Sequence, residues 1–160
     1  MHSLESLGLI EVVREVTARG TPLLGICLGM QLLLDESEEF GLTKGLGLIP
    51  GRVTAIPNRS LDGNALKIPH IGWNELVPSE DCSWKDTLLE YSNPGDAMYF
   101  VHSFMAVPDS PSMRLANSTY GGHLIPAVIH SRNVMGCQFH PEKSGTLGLL
   151  ILSKFLSLHF

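Results

Sequence analysis

The stretch PLLGICLGMQ, residues 22–31, decides the fold that this sequence predicts. Residues 22–26 form a short apolar run that begins with a proline, which is typical of a buried parallel strand. From Leu28 the apolar spacing changes to that of a helix. Cys27 is therefore expected at a sharp strand-to-helix turn, flanked two residues away by Gly25 and Gly29, which would relieve the crowding of a strained backbone.

A cysteine at such a turn is either a nucleophile or a small buried core residue. The turn would place the Cys27 thiol at a helix N-terminus, where the helix dipole favours the thiolate. The backbone N–H of Leu28 would have no helical partner and could donate to an oxyanion. The pentapeptide GICLG (25–29) leaves both interpretations open.

The segments on either side of this turn predict an α/β layer fold. Apolar spacing predicts a helix at 3–19 that ends at Gly20, a short helix at 83–90 capped by Ser83, and a final helix at 146–158. Extended segments separated by turn residues predict strands at 52–56, 65–69, 97–102, 113–120, 124–130 and 133–140. Neither a linker nor a repeat divides the chain, so we expect one domain over residues 1–160.

Composition excludes several classes of protein. The chain has 11 Lys+Arg against 16 Asp+Glu and a net charge of −5, which gives no electrostatic footprint for nucleic acid or an anionic membrane. Its apolar runs are shorter than the roughly 20 residues that span a bilayer, and its acidic start is unlike a secretory signal. Three scattered cysteines favour a reducing compartment, so we expect a cytoplasmic protein. The sequence predicts neither a metal site nor a cofactor.

A second motif, QFHPE at 138–142, follows the last predicted strand. In an extended segment His140 and Glu142 point the same way, so the carboxylate can orient the imidazole as in a catalytic triad. Alternatively, His140 is a structural or simply exposed histidine. More than a hundred residues separate His140 from Cys27, so only the fold can bring them together, where strand carboxyl ends converge on one edge of a sheet.

Together, GICLGMQ (25–31) and QFHPEKSG (138–145) resemble the class I, triad-type glutamine amidotransferases. IPHIGWN (68–74), YFVHSF (99–104) and GLGLIPG (45–51) narrow the resemblance to the glutaminase subunits of imidazole glycerol phosphate synthase and their close relatives. The resemblance extends over nearly all of residues 1–160. It implies a flavodoxin-like, mostly parallel sheet with flanking helices, and a glutaminase that serves histidine biosynthesis.

The resemblance also implies a role for individual residues. Cys27 would attack the side-chain amide of glutamine, His140 would transfer protons, and Glu142 would hold His140. Glu39 would meet the substrate ammonium, although a solvated helix-end carboxylate is an equal alternative. His102 is equally well interpreted as a satisfied interior histidine. The residues implied to bind substrate are Leu28, Gly29, Gln31, Glu39, His102 and Ser103.

A partner subunit is implied as well. Ammonia would pass to a (βα)8-barrel synthase subunit, with which the glutaminase forms a heterodimer. Trp73 would be an aromatic anchor of this interface, although a core tryptophan is the alternative interpretation. The residues implied to lie at the interface are Pro69, His70, Trp73, Asn74 and Lys143, and Ser144, directly after Lys143, would also face the partner.

The same resemblance implies a strand, a helix, a second strand and a Pro-Gly-type loop ahead of the helix in which this sequence begins. We therefore expect a domain that is incomplete at its N-terminus, with one inner strand and one oxyanion donor missing.

Three rival functions share part of this pattern. They are a glutaminase subunit of a sugar-modifying, surface-polysaccharide amidotransferase, a cysteine peptidase or γ-glutamyl hydrolase, and an inactive truncated paralogue. The segments IPHIGWN and HPEKSG argue against a stand-alone hydrolase, and intact Cys27, His140 and Glu142 argue against an inactive chain.

Overall fold

A computed structural model describes residues 1–80 and 82–158. The helices in this part of the chain are α1 (His2–Ser6), α2 (Leu9–Ala18), α3 (Leu28–Leu32) and α4 (Gly145–Ser157). The strands are β1 (Leu23–Ile26), β2 (Glu36–Ser37), β3 (Thr43–Lys44), β4 (Gly51–Ala55), β5 (His70–Glu75), β6 (Val77–Pro78), β7 (Ala97–His102), β8 (Phe104–Pro108), β9 (Arg114–Tyr120), β10 (His123–Ser131) and β11 (Val134–Cys137). Single turns of 3-10 helix lie at Pro111–Met113 and Pro141–Lys143.

These strands form a central five-stranded sheet in the order β1-β11-β10-β9-β6, a four-stranded sheet β3-β2-β4-β8 and the pair β5-β7. The predicted α/β class is confirmed, but the sheets are mixed rather than mostly parallel. Among the described pairs, β1 with β11 and β2 with β4 are parallel, and the others are antiparallel. The reason lies in the connections, because turns as short as Gly121-Gly122 and Arg132-Asn133 can join only antiparallel strands.

Apolar side chains cover both faces of the central sheet. Neighbouring residues of β11 point to opposite faces, so Val134 belongs to one cluster and Met135 to the other. The cluster with Met135 packs against α4 through Leu147, Ile151 and Phe155. The cluster with Val134 packs against α2, α3 and the four-stranded sheet, with contributions from Ile10, Val13, Met30, Leu33, Val53 and Ala106. A helix layer therefore flanks each face.

The predicted helices are partly confirmed. The final helix matches α4, whereas the segment 3–19 forms two helices, because Gly8 adopts a left-handed φ of 66° between α1 and α2. The predicted helix at 83–90 is wrong, and turns occupy this segment. The Thr87 hydroxyl bonds the Trp84 carbonyl and the Leu89 N–H, and Asp86 has a φ of 61°, so local bonds replace a helix. None of the helices within the described residues is long and apolar enough to cross a membrane.

The predicted strands differ from the structure mainly around residue 70. The prediction of a strand at 65–69 is wrong, because this segment is a loop. Within it, only Ala65 forms an isolated β-bridge, with Arg59. Pro69 has no N–H to offer a ladder. The strand β5 begins at the next residue, within a motif for which no strand was predicted, and β8 was also not predicted.

Candidate active site

The turn at Cys27 has the strained geometry that the sequence predicts. Cys27 has φ 51° and ψ −108°, a conformation that side-chain-bearing residues rarely adopt. A Cβ on Gly25 would lie 2.6 Å from the carbonyl carbon and oxygen of Gly29 and 2.7 Å from the backbone nitrogen of Met30. Beside Gly29 there is open space. The expectation that both glycines relieve crowding is therefore right for Gly25 and wrong for Gly29.

The Cys27 thiol lies where three strands meet. Its backbone N–H donates to the carbonyl oxygen of Cys137 at 2.8 Å and continues the parallel pairing of β1 with β11. Its thiol donates to the carbonyl oxygen of Val101 on β7 at 3.8 Å. The amide nitrogen of Gln138 approaches the sulfur at 3.8 Å from the end of β11. The half-buried thiol opens into a cavity of about 1200 Å³.

The surroundings of Cys27 favour the neutral thiol. Burial raises the pKa of the thiol, and the carboxylates of Glu142 and Glu39 raise it further. The backbone N–H of Leu28 and the amide of Gln138 lower this pKa without cancelling the burial. The N–H at the start of α3 therefore favours the thiolate, as the sequence predicts, but burial is the larger effect and keeps the thiol neutral. The thiol needs a base before it can act.

His140 and Glu142 form the pair that the sequence predicts. Nδ1 of His140 lies 2.8 Å from Oε1 of Glu142, across the start of the 3-10 turn that Pro141 begins. A neutral imidazole that donates Nδ1–H to the carboxylate leaves Nε2 unprotonated and able to accept a proton. The His140 side chain is 19% exposed and that of Glu142 is 46% exposed, so this pair is reachable from solvent.

Strand β7 brings Cys27 and His140 to one place. The His140 N–H donates to the carbonyl oxygen of Tyr99 at 2.9 Å, and the Cys27 thiol donates to that of Val101. Two residues apart on one strand, these carbonyls point in the same direction. Ser144 reinforces the arrangement, because its hydroxyl donates to the His140 carbonyl at 2.7 Å and accepts from the Tyr99 N–H at 3.0 Å. Ser144 is buried and therefore anchors the His140 loop instead of extending the predicted interface.

The cavity beside the thiol is lined by most of the residues implied to bind substrate. Its wall includes Leu28, Gln31, Glu39, His102 and Ser103. Glu39 is only half-buried and presents a carboxylate to this space. Sequence reasoning missed the part of the wall that α1 and α2 contribute, including His2, Glu5 and Arg14, since nothing in their local pattern differs from an ordinary helix surface.

A buried hydrogen-bond network runs behind this wall. Nε2 of Gln31 donates to the carbonyl oxygen of Phe104 at 3.1 Å and to Oε1 of Gln138 at 3.2 Å. Nδ1 of His102 donates to the same Phe104 carbonyl at 2.9 Å, and its Nε2 lies 3.1 Å from Nδ1 of His70. Burial lowers the pKa of His102 to about 4. His102 is thus both a satisfied interior histidine and part of the cavity wall.

The residues implied to lie at an interface divide into two groups. Trp73 is 56% exposed and packs edge-to-face on Tyr99 at 6.0 Å between ring centroids, so the core alternative is wrong. Pro69 and Lys143 are exposed, and the half-buried Asn74 donates to the Thr119 carbonyl at 2.7 Å. His70 is 2% exposed, and its ring stacks on those of Phe100 and Tyr120. The expectation that the His70 side chain contacts a partner is wrong. Residues 70 and 73 face opposite sides of β5, and His70 lies on the buried side.

Comparisons with known proteins agree with this geometry. The family described as "Glutamine amidotransferase class-I" matches residues 3–157. The chain is 51% identical to "Imidazole glycerol phosphate synthase subunit HisH 1" of Legionella pneumophila (strain Lens), over 99% of this chain and 75% of that protein. It is 52% identical to "Imidazole glycerol phosphate synthase subunit HisH" of Geobacillus sp. (strain WCH70), over 99% and 72% of the two chains.

Solved structures with little sequence similarity share the fold. A crystal structure of a glutamine amidotransferase superposes on this chain with a TM-score of 0.64 at 17% sequence identity. The match covers 96% of this chain and 69% of that structure's chain. A glutamine amidotransferase from Thermotoga maritima gives a TM-score of 0.56 at 16% identity, and this chain spans 64% of its length. Taken with the family match over residues 3–157, the chain belongs to the class-I glutamine amidotransferase family.

Proposed function

We propose that this chain hydrolyses glutamine to glutamate and ammonia with Cys27 as nucleophile, His140 as base and acid, and Glu142 as the group that holds His140. The observation that carries this proposal is the strained turn at Cys27, which presents the thiol to a cavity and to β7, the strand that also holds the backbone of His140 in the His140–Glu142 pair. The family match and the names of the relatives support the same chemistry.

The first half of the reaction forms a thioester. Nε2 of His140 takes the proton of the Cys27 thiol, and the carboxylate of Glu142 stabilises the imidazolium that results. The sulfur attacks the side-chain amide carbon of glutamine, and the Leu28 N–H would donate to the oxyanion that forms. The carbon–nitrogen bond then breaks, and His140 returns the proton to the leaving nitrogen, which departs as ammonia.

The second half regenerates the enzyme. His140 removes a proton from water, and the hydroxide attacks the glutamyl thioester. The carbon–sulfur bond breaks, glutamate leaves, and the proton returns from His140 to the sulfur. The partial exposure of the His140 and Glu142 side chains gives this water a route from solvent.

Substrate binding falls to the cavity wall. The Glu39 carboxylate is suited to the ammonium group of an amino acid, and Gln31, His102 and Ser103 lie along the same wall. The open space beside Gly29 lets a substrate approach the turn closely. These roles predict that an amino-acid amide, and not a peptide, is the substrate.

We extend the proposal to a (βα)8-barrel synthase partner that receives the ammonia in imidazole glycerol phosphate formation. The relatives named above are subunits of imidazole glycerol phosphate synthase. On this chain, exposed Ile71 and Trp73 form an apolar surface on β5, with Tyr99 packed against Trp73 and Lys143 exposed in the turn after His140. An exposed apolar and aromatic surface of this kind is typical of a protein interface. A cytoplasmic location completes the proposal, because Cys27 must stay reduced to act.

The test is a reconstituted assay. The chain is mixed with a barrel subunit of imidazole glycerol phosphate synthase and its substrate, and glutamate formed from glutamine is measured, with Cys27→Ala as control. Glutamate well above the control supports the proposal. No glutamate above the control contradicts the glutaminase function, and activity only with a sugar-modifying synthase contradicts the histidine-pathway assignment.

A further inference from the structure

The chain contains two glutamines, and their side chains bond each other beside the nucleophile. Gln138 follows β11, is fully buried, and donates its backbone N–H to the Ala127 carbonyl at 2.9 Å. Building on the glutaminase function above, we propose that the Gln138 amide stabilises the Cys27 thiolate by hydrogen bonding, and that Gln31 is the positioning residue for that amide.

The orientation of the Gln138 amide follows from the direction of each hydrogen bond. The carbonyl oxygen of Phe104 can only accept, so the Gln31 atom 3.1 Å away is the amide nitrogen. The same nitrogen lies 3.2 Å from Gln138, whose facing atom must then be the oxygen Oε1. The nitrogen Nε2 of Gln138 therefore points the other way, where it lies 3.8 Å from the sulfur of Cys27. The backbone carbonyl of Phe104 thus determines the orientation of both side-chain amides, those of Gln31 and Gln138.

That carbonyl is itself held in place. Nδ1 of His102 on β7 donates to the Phe104 oxygen at 2.9 Å, so this acceptor binds one side chain from β7 and one, Gln31, from α3. Gln31 is 8% exposed and Gln138 is fully buried, so neither amide can easily exchange its partner for water. Hydrogen bonds between buried polar groups are strong in a low-dielectric interior and fix side-chain orientation. The network therefore presents a donor to the sulfur without any rearrangement.

The sulfur needs such a donor. The groups that act on Cys27 from neighbouring elements are the carboxylates of Glu142 and Glu39, the Leu28 N–H and the Gln138 amide, together with His140 as the proposed base. Burial and both carboxylates disfavour a negative sulfur, whereas the two N–H donors favour it. A hydrogen bond to an ionised acceptor is shorter and stronger than one to a neutral acceptor. The Gln138 bond therefore strengthens as His140 removes the thiol proton.

The experiment measures the reactivity of Cys27 as a function of pH. Iodoacetamide alkylates the thiolate, forming a carbon–sulfur bond and releasing iodide, and mass spectrometry of the peptide that contains Cys27 separates it from Cys82 and Cys137. In Gln138→Met, which keeps the length but removes the donor, we expect the midpoint of the profile to rise by about one pH unit. Gln138→Glu adds a negative charge and should raise the midpoint further.

The matched control is Asn133, another buried amide. Its Nδ2 donates to the carbonyls of Thr17 and Thr21 at the opposite end of β11, so Asn133→Leu should lower stability and leave the Cys27 midpoint unchanged. Alkylation of the buried Cys137 in Gln138→Met would show that this variant is unfolded. The proposal is then tested with Gln31→Met. Loss of the Gln31 amide frees the Gln138 amide, so the alkylation midpoint of Cys27 in Gln31→Met should rise by less than it does in Gln138→Met.

An unchanged midpoint in the folded Gln138→Met protein, or in Gln31→Met where that variant decides, overturns the proposal. Alkylation needs neither glutamine nor a partner, so this result is independent of the glutaminase assay. A shifted midpoint in a chain that makes no glutamate would support the thiolate role while contradicting the proposed function.

Discussion

The two halves of the proposed triad lie in opposite environments. The Cys27 half is enclosed: its thiol bonds the backbone carbonyl of Val101 and the neutral amide of Gln138, which in turn bonds Gln31. The other half, His140 and Glu142, is a charge-capable pair at 2.8 Å on a short 3-10 turn that solvent can reach. In one half the thiol bonds neutral groups, and the other half is a charge-capable pair that solvent can reach.

This difference explains how one site handles both a thiol and water. Burial raises the pKa of the Cys27 thiol, so the sulfur stays neutral until His140 takes its proton. The exposed pair then exchanges protons with the leaving group and with water. We infer that reactivity is limited to moments when substrate, base and thiol are together, which protects the thiol between turnovers.

The largest effect should come from removing the base. His140→Ala is expected to lower glutamine hydrolysis by about 10⁴-fold or more, because the neutral thiol loses its proton acceptor. Since the removed pair is partly exposed, the melting temperature should stay close to wild type. His123→Ala, which removes a histidine that contacts the Arg59 carbonyl, is the control and should keep full activity. Equal losses in both variants would contradict the assignment of His140.

The next largest effect separates turnover from thiol reactivity. Glu142→Gln should reduce kcat by roughly 10²- to 10³-fold, because the imidazolium loses its stabilising charge. At alkaline pH, where the thiol loses its proton to solvent and not to His140, the same change should lower the pKa of the Cys27 thiol, since the Glu142 charge raises it, so alkylation by iodoacetamide should become faster there. Steady-state kinetics and alkylation rates measured on one preparation provide the check. If both alkylation and turnover become slower, the negative charge of Glu142 does not disfavour the Cys27 thiolate, which contradicts the prediction.

Much of this comparison is predictable from sequence, but unequally. The GICLG turn, the His140–Glu142 pairing and the final helix follow from local patterns, because each depends on residues a few positions apart. The neutral state of the thiol depends on burial by distant strands, which no local pattern reports. Likewise, Gln138 stands in a motif, yet its side-chain partners are Gln31 on α3 and Cys27 at the turn after β1.

Errors in the fold have the same origin. The segment 83–90 has helical spacing, but the hydroxyl of Thr87 offers the backbone competing local bonds. His70 shares a motif with exposed Trp73, but the pleat of β5 places it inside, against the rings of Phe100 and Tyr120. Sidedness is settled only when the partner strand is known.

The enclosed half should also give the fold a pH dependence. Burial lowers the pKa of His102 to about 4, below the 6.5 of an exposed histidine. Between these values the unfolded chain binds a proton that the folded chain does not, so stability is full above about pH 6.5 and falls towards pH 4. The loss amounts to about 3 kcal/mol, at about 1.4 kcal/mol for each unit of pKa.

Urea unfolding across this pH range is the measurement, with His102→Asn as the matched variant. Asparagine cannot titrate here and can still donate to the Phe104 carbonyl, so the slope should flatten. His70 and His130, whose pKa values burial also lowers, keep a smaller slope of the same sign. If the free energy of unfolding depends on pH equally in the wild type and in His102→Asn, His102 is not the cause of the pH dependence.

The smallest predicted effect compares the two glycines of the turn. Gly25→Ala should destabilise the protein by about 2 kcal/mol, because its Cβ would meet the Gly29 backbone at 2.6 Å. Gly29→Ala should leave the unfolding midpoint nearly unchanged, since nothing lies within 4 Å of its Cβ, and should raise KM for glutamine. Denaturant unfolding and kinetics test the pair. Equal destabilisation by both changes would contradict the packing described for this turn.

The most direct test of the central claim is covalent labelling of the chain with a glutamine analogue that carries a chloromethyl ketone in place of the amide. The account predicts a single adduct at Cys27, formed by displacement of chloride, slowed by added glutamine and slowed in His140→Ala. An adduct at Cys82 or Cys137, or labelling of Cys27 that neither glutamine nor the His140 change affects, would contradict it.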